Sequence, residues 1–265
     1  MGHRNDERAV VAKRHVVEMQ QQYSAEIEHS IKNSTVYRID YVDINSMYEG
    51  FAPVLGNKIP LIEFQKVTTQ EAINSIKDVS SKKCALNFAS YKYPGGGFIN
   101  GSMAQEESLC HDSTLYNVIS ADKFALDYDF NRNHLNDGMY SNWCIYSPDI
   151  VFERNNRAAK CDVITCPAPN MSKVINSKFV DHDNKYYNIL YNRIKFVLDV
   201  CNDQGAKVLI LGAFGCGVFK NSPSTVGSIF ARLLKDDKYN FDKVIFAIPD
   251  EPNYTHFKYG WNYNI

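Results

Sequence analysis

The chain has no CxxC pair, and its seven cysteines (Cys84, Cys110, Cys144, Cys161, Cys166, Cys201 and Cys216) are odd in number. This pattern argues against a disulfide framework or a zinc site and fits reduced thiols. No H-E-x-x-H string gathers the seven histidines, so each reads as an isolated residue rather than a metal ligand. The longest apolar run, around Val208–Leu211, falls far short of the ~18 residues a membrane span needs. Arg4–Arg8 is polar and charged, unlike a secretory signal. With Lys+Arg 29 against Asp+Glu 30, no global field draws in nucleic acid or anionic membrane. These absences predict a cytoplasmic (or nuclear) protein without metal or cofactor that does not contact nucleic acid or membrane; a monomer is the expectation, though no residue pattern speaks to oligomeric state.

Two glycine signatures are also missing. Neither the G-x-G-x-x-G spacing of a dinucleotide fold nor the G-x-x-x-x-G-K-[ST] string of a P-loop occurs, which disfavours a Rossmann dehydrogenase and an NTPase.

What is present is an α/β pattern. Of 265 residues, 45% are hydrophobic and 13% aromatic, including 17 Tyr and 15 Phe. Residues 6–23 have the period of an amphipathic helix, and residues 1–30 read as a helical extension. Residues 35–42 and 58–64 read as strands, and Thr69 is placed to cap a helix over Gln70–Val79. Lys83–Ala89 is a strand-length apolar run, 104–119 a helix, and 140–146 and Cys161–Thr165 two more strands. The C-terminal third then alternates. Tyr186–Cys201 is helical, Lys207–Leu211 a buried strand, Pro223–Leu234 a helix and Lys243–Ile248 a strand. Near-continuous apolar strands between helices predict a largely parallel sheet covered on both faces. No linker divides the chain, so 1–265 is expected to form one domain.

Two loops carry chemistry. In the first, the Lys83–Ala89 strand runs into Tyr93-Pro94-Gly95-Gly96-Gly97-Phe98, followed seven residues after Phe98 by Gln105-Glu106-Glu107-Ser108-Leu109. Successive glycine N–H groups can point at an anion, and a following helix adds its positive end. Glu106 and Glu107 sit where the helix dipole favours acids, and one of them is also placed for proton transfer. Adjacent helix positions point about 100° apart, so one is expected to face the reacting bond and the other a neighbouring hydroxyl. An acid beside the Phe98 ring is expected to have a raised pKa. The second loop, Gly212-Ala213-Phe214-Gly215-Cys216-Gly217-Val218-Phe219, also follows a buried strand. Two such cradles at strand ends suggest a ligand with two phosphates between them. Cys216 reads as a small residue between glycines rather than as a nucleophile. Phe98 and Phe219 flank the loops as candidate stacking rings. The tail run Tyr254, Phe257, Tyr259, Trp261 and Tyr263 reads as packing.

Taken together, GGGF, QEESL and LGAFGCGVF resemble the microbial-type poly(ADP-ribose) glycohydrolases. These are macrodomains with an added catalytic glutamate. Leu115-Tyr116, the segment Tyr146–Phe152, the segment Thr165–Asn170 and the Arg-rich stretch Asp6–Arg14 extend the resemblance over about residues 5–250. It implies a three-layer α/β/α macrodomain with a mixed, largely parallel sheet. The implied ligand is ADP-ribose, held as poly(ADP-ribose) or on an ADP-ribosylated protein. By motif position, Glu107 is the general acid and Glu106 binds the hydroxyls of the cleaved ribose. Gly95, Gly96 and Gly97 lie near the ribose and diphosphate, with Phe98, Gln105 and Ser90 beside them. Gly215, Cys216, Gly217 and Val218 wrap the diphosphate, and Phe219 packs on the terminal ribose. Ser90 stands where many macrodomains carry a ribose-contacting Asn, and His111 where most members of the family carry Arg. Removal of single ADP-ribose units from protein, deacetylation of O-acetyl-ADP-ribose, and binding without turnover remain open on these residues.

Overall fold

The computed structural model describes residues 2–39, 59–78, 80–154, 157–174, 182–235 and 239–263. The ends of three predicted elements (40–42, 58 and Val79) lie outside them. Ten α-helices and seven strands are seen among the described residues. The helices are α1 (Gly2–Gln22), α2 (Ser24–Asn33), α3 (Thr69–Ser75), α4 (Gln105–His111), α5 (Leu115–Ile119), α6 (Ala125–Asn133), α7 (Met171–Val174), α8 (His182–Asp203), α9 (Pro223–Lys235) and α10 (Glu251–Tyr263). The strands are β1 (Thr35–Ile39), β2 (Leu61–Gln65), β3 (Lys83–Phe88), β4 (Asn142–Arg154), β5 (Arg157–Cys166), β6 (Val208–Leu211) and β7 (Lys243–Ala247). They form one sheet in the order β1-β4-β5-β3-β6-β7-β2. The four pairings from β5 to β2 are parallel, and β1–β4 and β4–β5 are antiparallel.

Strand side chains alternate between faces, so each apolar strand serves two cores. Cys84, Leu86, Leu209, Leu211, Val244 and Phe246 pack on one face with α8, α9 and α10. Ala85, Val163, Val208, Ile210, Ile245 and Ala247 pack on the other with α1–α5. This is the three-layer α/β/α arrangement, and it places the helical extension on the α4 face. The α9–α10 pair meets closely because Gly227 and Gly260 leave no side chain between backbones: a Cβ on either would strike the partner helix.

Local details depart from the sequence pattern. The cap of α3 is Thr68, not Thr69; its hydroxyl accepts from Glu71 N–H while Glu71 accepts from Thr68 N–H. The predicted 104–119 helix is broken between α4 and α5, where Ser113 bridges to Phe152 of β4. Strand β4 starts two residues later than expected and runs on to Arg154, through an irregularity between Ser147 and Ile150. In the tail, Phe257 and Trp261 are buried as expected, but Tyr259 and Tyr263 are exposed on α10.

Candidate active site

The parallel register decides what faces the cleft. Asn87 follows Ala85 by two residues, so it shares the α4 face, and Thr165 is its partner on β5. Past the end of β3 the chain turns through Gly95 and Gly96, both at positive φ (+67° and +58°), a region glycine enters without strain. The turn returns the backbone to the start of α4.

Here the two acids meet. A methyl placed on Gly96 would lie 2.7 Å from Glu107 Oε1 and 3.0 Å from Glu106 Oε2. The two carboxyl groups therefore converge on one point above Gly96, although their Cα positions diverge on the helix. Both are buried, at 3% and 7% exposure for Glu106 and Glu107. Glu107 Oε1 accepts from Gly97 N–H and its Oε2 from Ala104 N–H, both at 2.9 Å. It thus closes the first turn of α4 and ties the glycine loop to it. Glu106 accepts from Ser90 N–H at 2.7 Å and from Asn87 Nδ2 at 3.2 Å. Burial pushes the Glu106 carboxyl up to about 8 against these hydrogen bonds, and neighbouring Glu107 adds to the rise. The raised acid is Glu106, and the largest cause is desolvation by burial.

Other candidates take different places. Phe98 is fully buried under the loop, with its ring against His111 and Tyr116. It therefore packs into the interior and offers no open face to a ligand. Gln105 lines the cleft, but its polar atoms are committed: Oε1 accepts from Phe88 N–H, and Nε2 donates to Leu86 O and Thr69 Oγ1. It works as a staple between α4, β3 and α3. The Ser90 hydroxyl accepts from the N–H groups of Lys92 and Tyr93, so Ser90 serves Glu106 through its backbone. In the second loop, Gly215 has φ +71°, and a side chain there would collide with Asn221 and Ala168. A Cβ on Gly217 meets nothing within 4 Å, so its backbone faces open space. Val218 is exposed and Phe219 half-buried, 6.0 Å from the Tyr140 ring. Cys216 is buried, and burial raises its thiol to about 12, far from the thiolate a nucleophile needs. No cluster of metal-ligating side chains is found among the described residues.

Phe88, Ala104, Gln105 and Gly217 line two adjoining cavities of about 270 and 520 Å³, which together make one cleft along the strand ends. The smaller reaches Ala168, Gly215, Val218 and Phe219. The larger runs on to Thr68–Glu71 and to Ala247–Asp250 and Asn253. Sequence reading missed that second wall. Its available signals were the Thr68-Thr69 cap after β2 and Pro249-Asp250 after β7. Among the described residues, neither Lys nor Arg lines either cavity.

Comparisons with known proteins bear on the family and the fold. Residues 5–155 match the family described as microbial-type PARG, catalytic domain. No curated protein matches. A poly(ADP-ribose) glycohydrolase (PARG) from Thermomonospora curvata, bound to the inhibitor ADP-HPD, is 26% identical with a TM-score of 0.77, covering 96% of this chain and 99% of that one. The PARG of Deinococcus radiodurans in complex with ADP-ribose is 27% identical with a TM-score of 0.76, covering 90% and 98%. No described helix is long and apolar enough to cross a membrane. The family match spans more than half of the chain, including the glycine loop and the paired acids, and the structural agreement spans nearly all of it: this chain belongs to the microbial-type PARG catalytic-domain family.

Proposed function

We propose that the chain hydrolyses the O-glycosidic ribose–ribose bond of poly(ADP-ribose) and releases ADP-ribose. The observation that carries this reading is the convergence of two buried carboxyl groups over Gly96, at the start of the helix whose Ala104 and Gln105 line a cleft that reaches the Gly215–Phe219 loop. The diphosphate lies between the loops, met by backbone N–H groups. Adenosine takes the larger cavity, whose volume suits a nucleoside. The terminal ribose sits above Gly96 and against Phe219.

Glu107, as general acid, gives a proton to the bridging oxygen. The C–O bond breaks with its electron pair leaving on that oxygen. The oxocarbenium-like carbon is stabilised by the diphosphate beside it. Ionised Glu107 then takes a proton from water, whose oxygen attacks that carbon. One group thus serves as acid and then base, in place of the usual carboxylate pair. Such catalysis contributes about 10²–10⁴-fold, and the remainder comes from positioning. Glu106 holds the ribose hydroxyls. Atoms balance with water alone, so the reaction as drawn calls for no cofactor. The ligand partner is ADP-ribose, in the polymer or on a modified protein.

A second assignment rests on one observation. Glu106, with its carboxyl raised to about 8, is the acid that already holds a proton at neutral pH, so it is the rival donor. Glu107→Gln and Glu106→Gln separate the two. Release of ADP-ribose from automodified polymer is followed alongside calorimetric ADP-ribose binding. The proposal expects Glu107→Gln to lose turnover and keep affinity, and Glu106→Gln to weaken affinity as well. Near-full turnover in Glu107→Gln would hand the acid role to Glu106. Absence of release from polymer by the wild type, with release from Ser-, Arg- or Glu-linked mono-ADP-ribosylated protein, would redirect the substrate class.

A further inference from the structure

Asn87 has no part in the roles given so far. It is fully buried, as is Thr165 across the sheet. Its Nδ2 donates to Glu106 Oε1 at 3.2 Å and approaches Thr165 Oγ1 at 3.3 Å, while its Oδ1 has no partner. Buried polar atoms are almost always paired, and here the paired edge of the amide is the one that faces both the acid and the Thr165 hydroxyl. An amide turned by half a rotation exchanges donor for acceptor, and a threonine hydroxyl is able to donate or accept. With Nδ2 toward Glu106, the amide donates to a carboxylate. Turned over, Oδ1 accepts the proton of a carboxylic acid, and Thr165 answers by donating.

We propose that Asn87, seated by Thr165, is a positioning residue that holds the Glu106 carboxyl in one place in both of its protonation states. The ribose hydroxyls then meet the same geometry across neutral pH. This rests on the reading that Glu106 meets the ribose. Such a partner is needed because the Glu106 carboxyl titrates near 8. Glu107 raises it through charge, and Cys110 and Tyr128 are the other titratable groups that sense Glu106. The Ser90 and Gly95 N–H groups lower it but only donate. Asn87 is the side-chain neighbour able to serve both forms.

The test is the pH dependence of ADP-ribose affinity, by calorimetry from about pH 6 to pH 10, around the window in which Glu106 titrates. The wild type is expected to show a limb near pH 8. Asn87→Ala should move that limb upward by about one pH unit, because the amide's bond to the charged carboxylate is stronger than its bond to the neutral acid, and Thr165→Val, which unseats the amide, should move it the same way by less. Asn87→Asp should move it furthest, and Thr165→Ser should leave it in place. Equal weakening at every pH, with the limb unmoved, would show a merely structural role and overturn the proposal. So would a wild type that binds with no limb. Should Asn87→Ala fail to fold, Thr165→Val against Thr165→Ser carries the same comparison. Failure of the wild type to bind ADP-ribose at any pH would instead sink the functional reading itself.

Discussion

Gly96→Ala is the smallest change that reaches the chemistry. The added methyl would lie 2.7 Å from Glu107 Oε1 and 3.0 Å from Glu106 Oε2, so at least one carboxyl has to move. The residue is also held at φ +58°, which costs an L-residue about 1–2 kcal/mol. If Glu107 yields, its bond from Gly97 N–H is lost, worth about 1.5–3 kcal/mol for a charged acceptor. The sum is about 3–5 kcal/mol. At about 2–4 °C per kcal/mol for a chain of this size, thermal denaturation should show a Tm fall of about 6–20 °C. A displaced acid should also lower turnover by about 10²-fold, the effect expected of roughly 1 Å of misplacement. The control is Gly217→Ala, where a Cβ meets nothing within 4 Å. That variant should keep its stability within about 0.5 kcal/mol and yet bind ADP-ribose more weakly, because the methyl enters the space assigned to ligand. Wild-type Tm and turnover in Gly96→Ala would refute the convergence of the two acids on this glycine. Unchanged affinity in Gly217→Ala would remove the second cradle.

Two further outcomes are expected. The Glu106 carboxyl is raised in the folded state to about 8, so its buried protonated form favours folding at low pH, and that contribution fades as pH rises from the unfolded value near 4.5 to about 8. Glu106→Gln should therefore gain stability relative to the wild type between pH 5 and pH 8, by a few kcal/mol at most, in denaturant titrations at the two pH values; a constant difference would contradict the burial of this charge. All seven cysteines are buried and free, and the Cys216 thiol is raised to about 12. Iodoacetamide at neutral pH should leave the native protein active and unlabelled, as read by mass spectrometry, and rapid labelling of Cys216 with loss of turnover would revive it as a nucleophile.

Much of the site was legible because it is local. Gly95–Gly97 and the two acids lie within thirteen residues of one another, and turn chemistry links them in any fold that follows a strand with a helix. The parallel sheet was legible for a similar reason: strands buried on both faces read as continuous apolar runs. What escaped was set at a distance. The 104–119 helix broke because Ser113 finds a bridge to Phe152, which no helical period reveals. The two acids were expected to point apart from helix geometry alone; the side chains bend back to a loop that the sequence places a turn earlier. Phe98, adjacent to the glycines, looked like a ring for ligand because its burial depends on His111 and Tyr116. Asn87 and Thr165 are 78 residues apart, and only sheet register makes them neighbours.

The double attachment of Glu107 has a mechanical consequence. With Oε1 holding Gly97 N–H and Oε2 holding Ala104 N–H, the ionised side chain is a clasp between loop and helix. A proton taken up by either oxygen turns an acceptor into a donor and opens one side of that clasp. Under the proposed acid–base cycle, each turnover would therefore slacken and then refasten the glycine loop, and the loop's freedom would keep time with the chemistry.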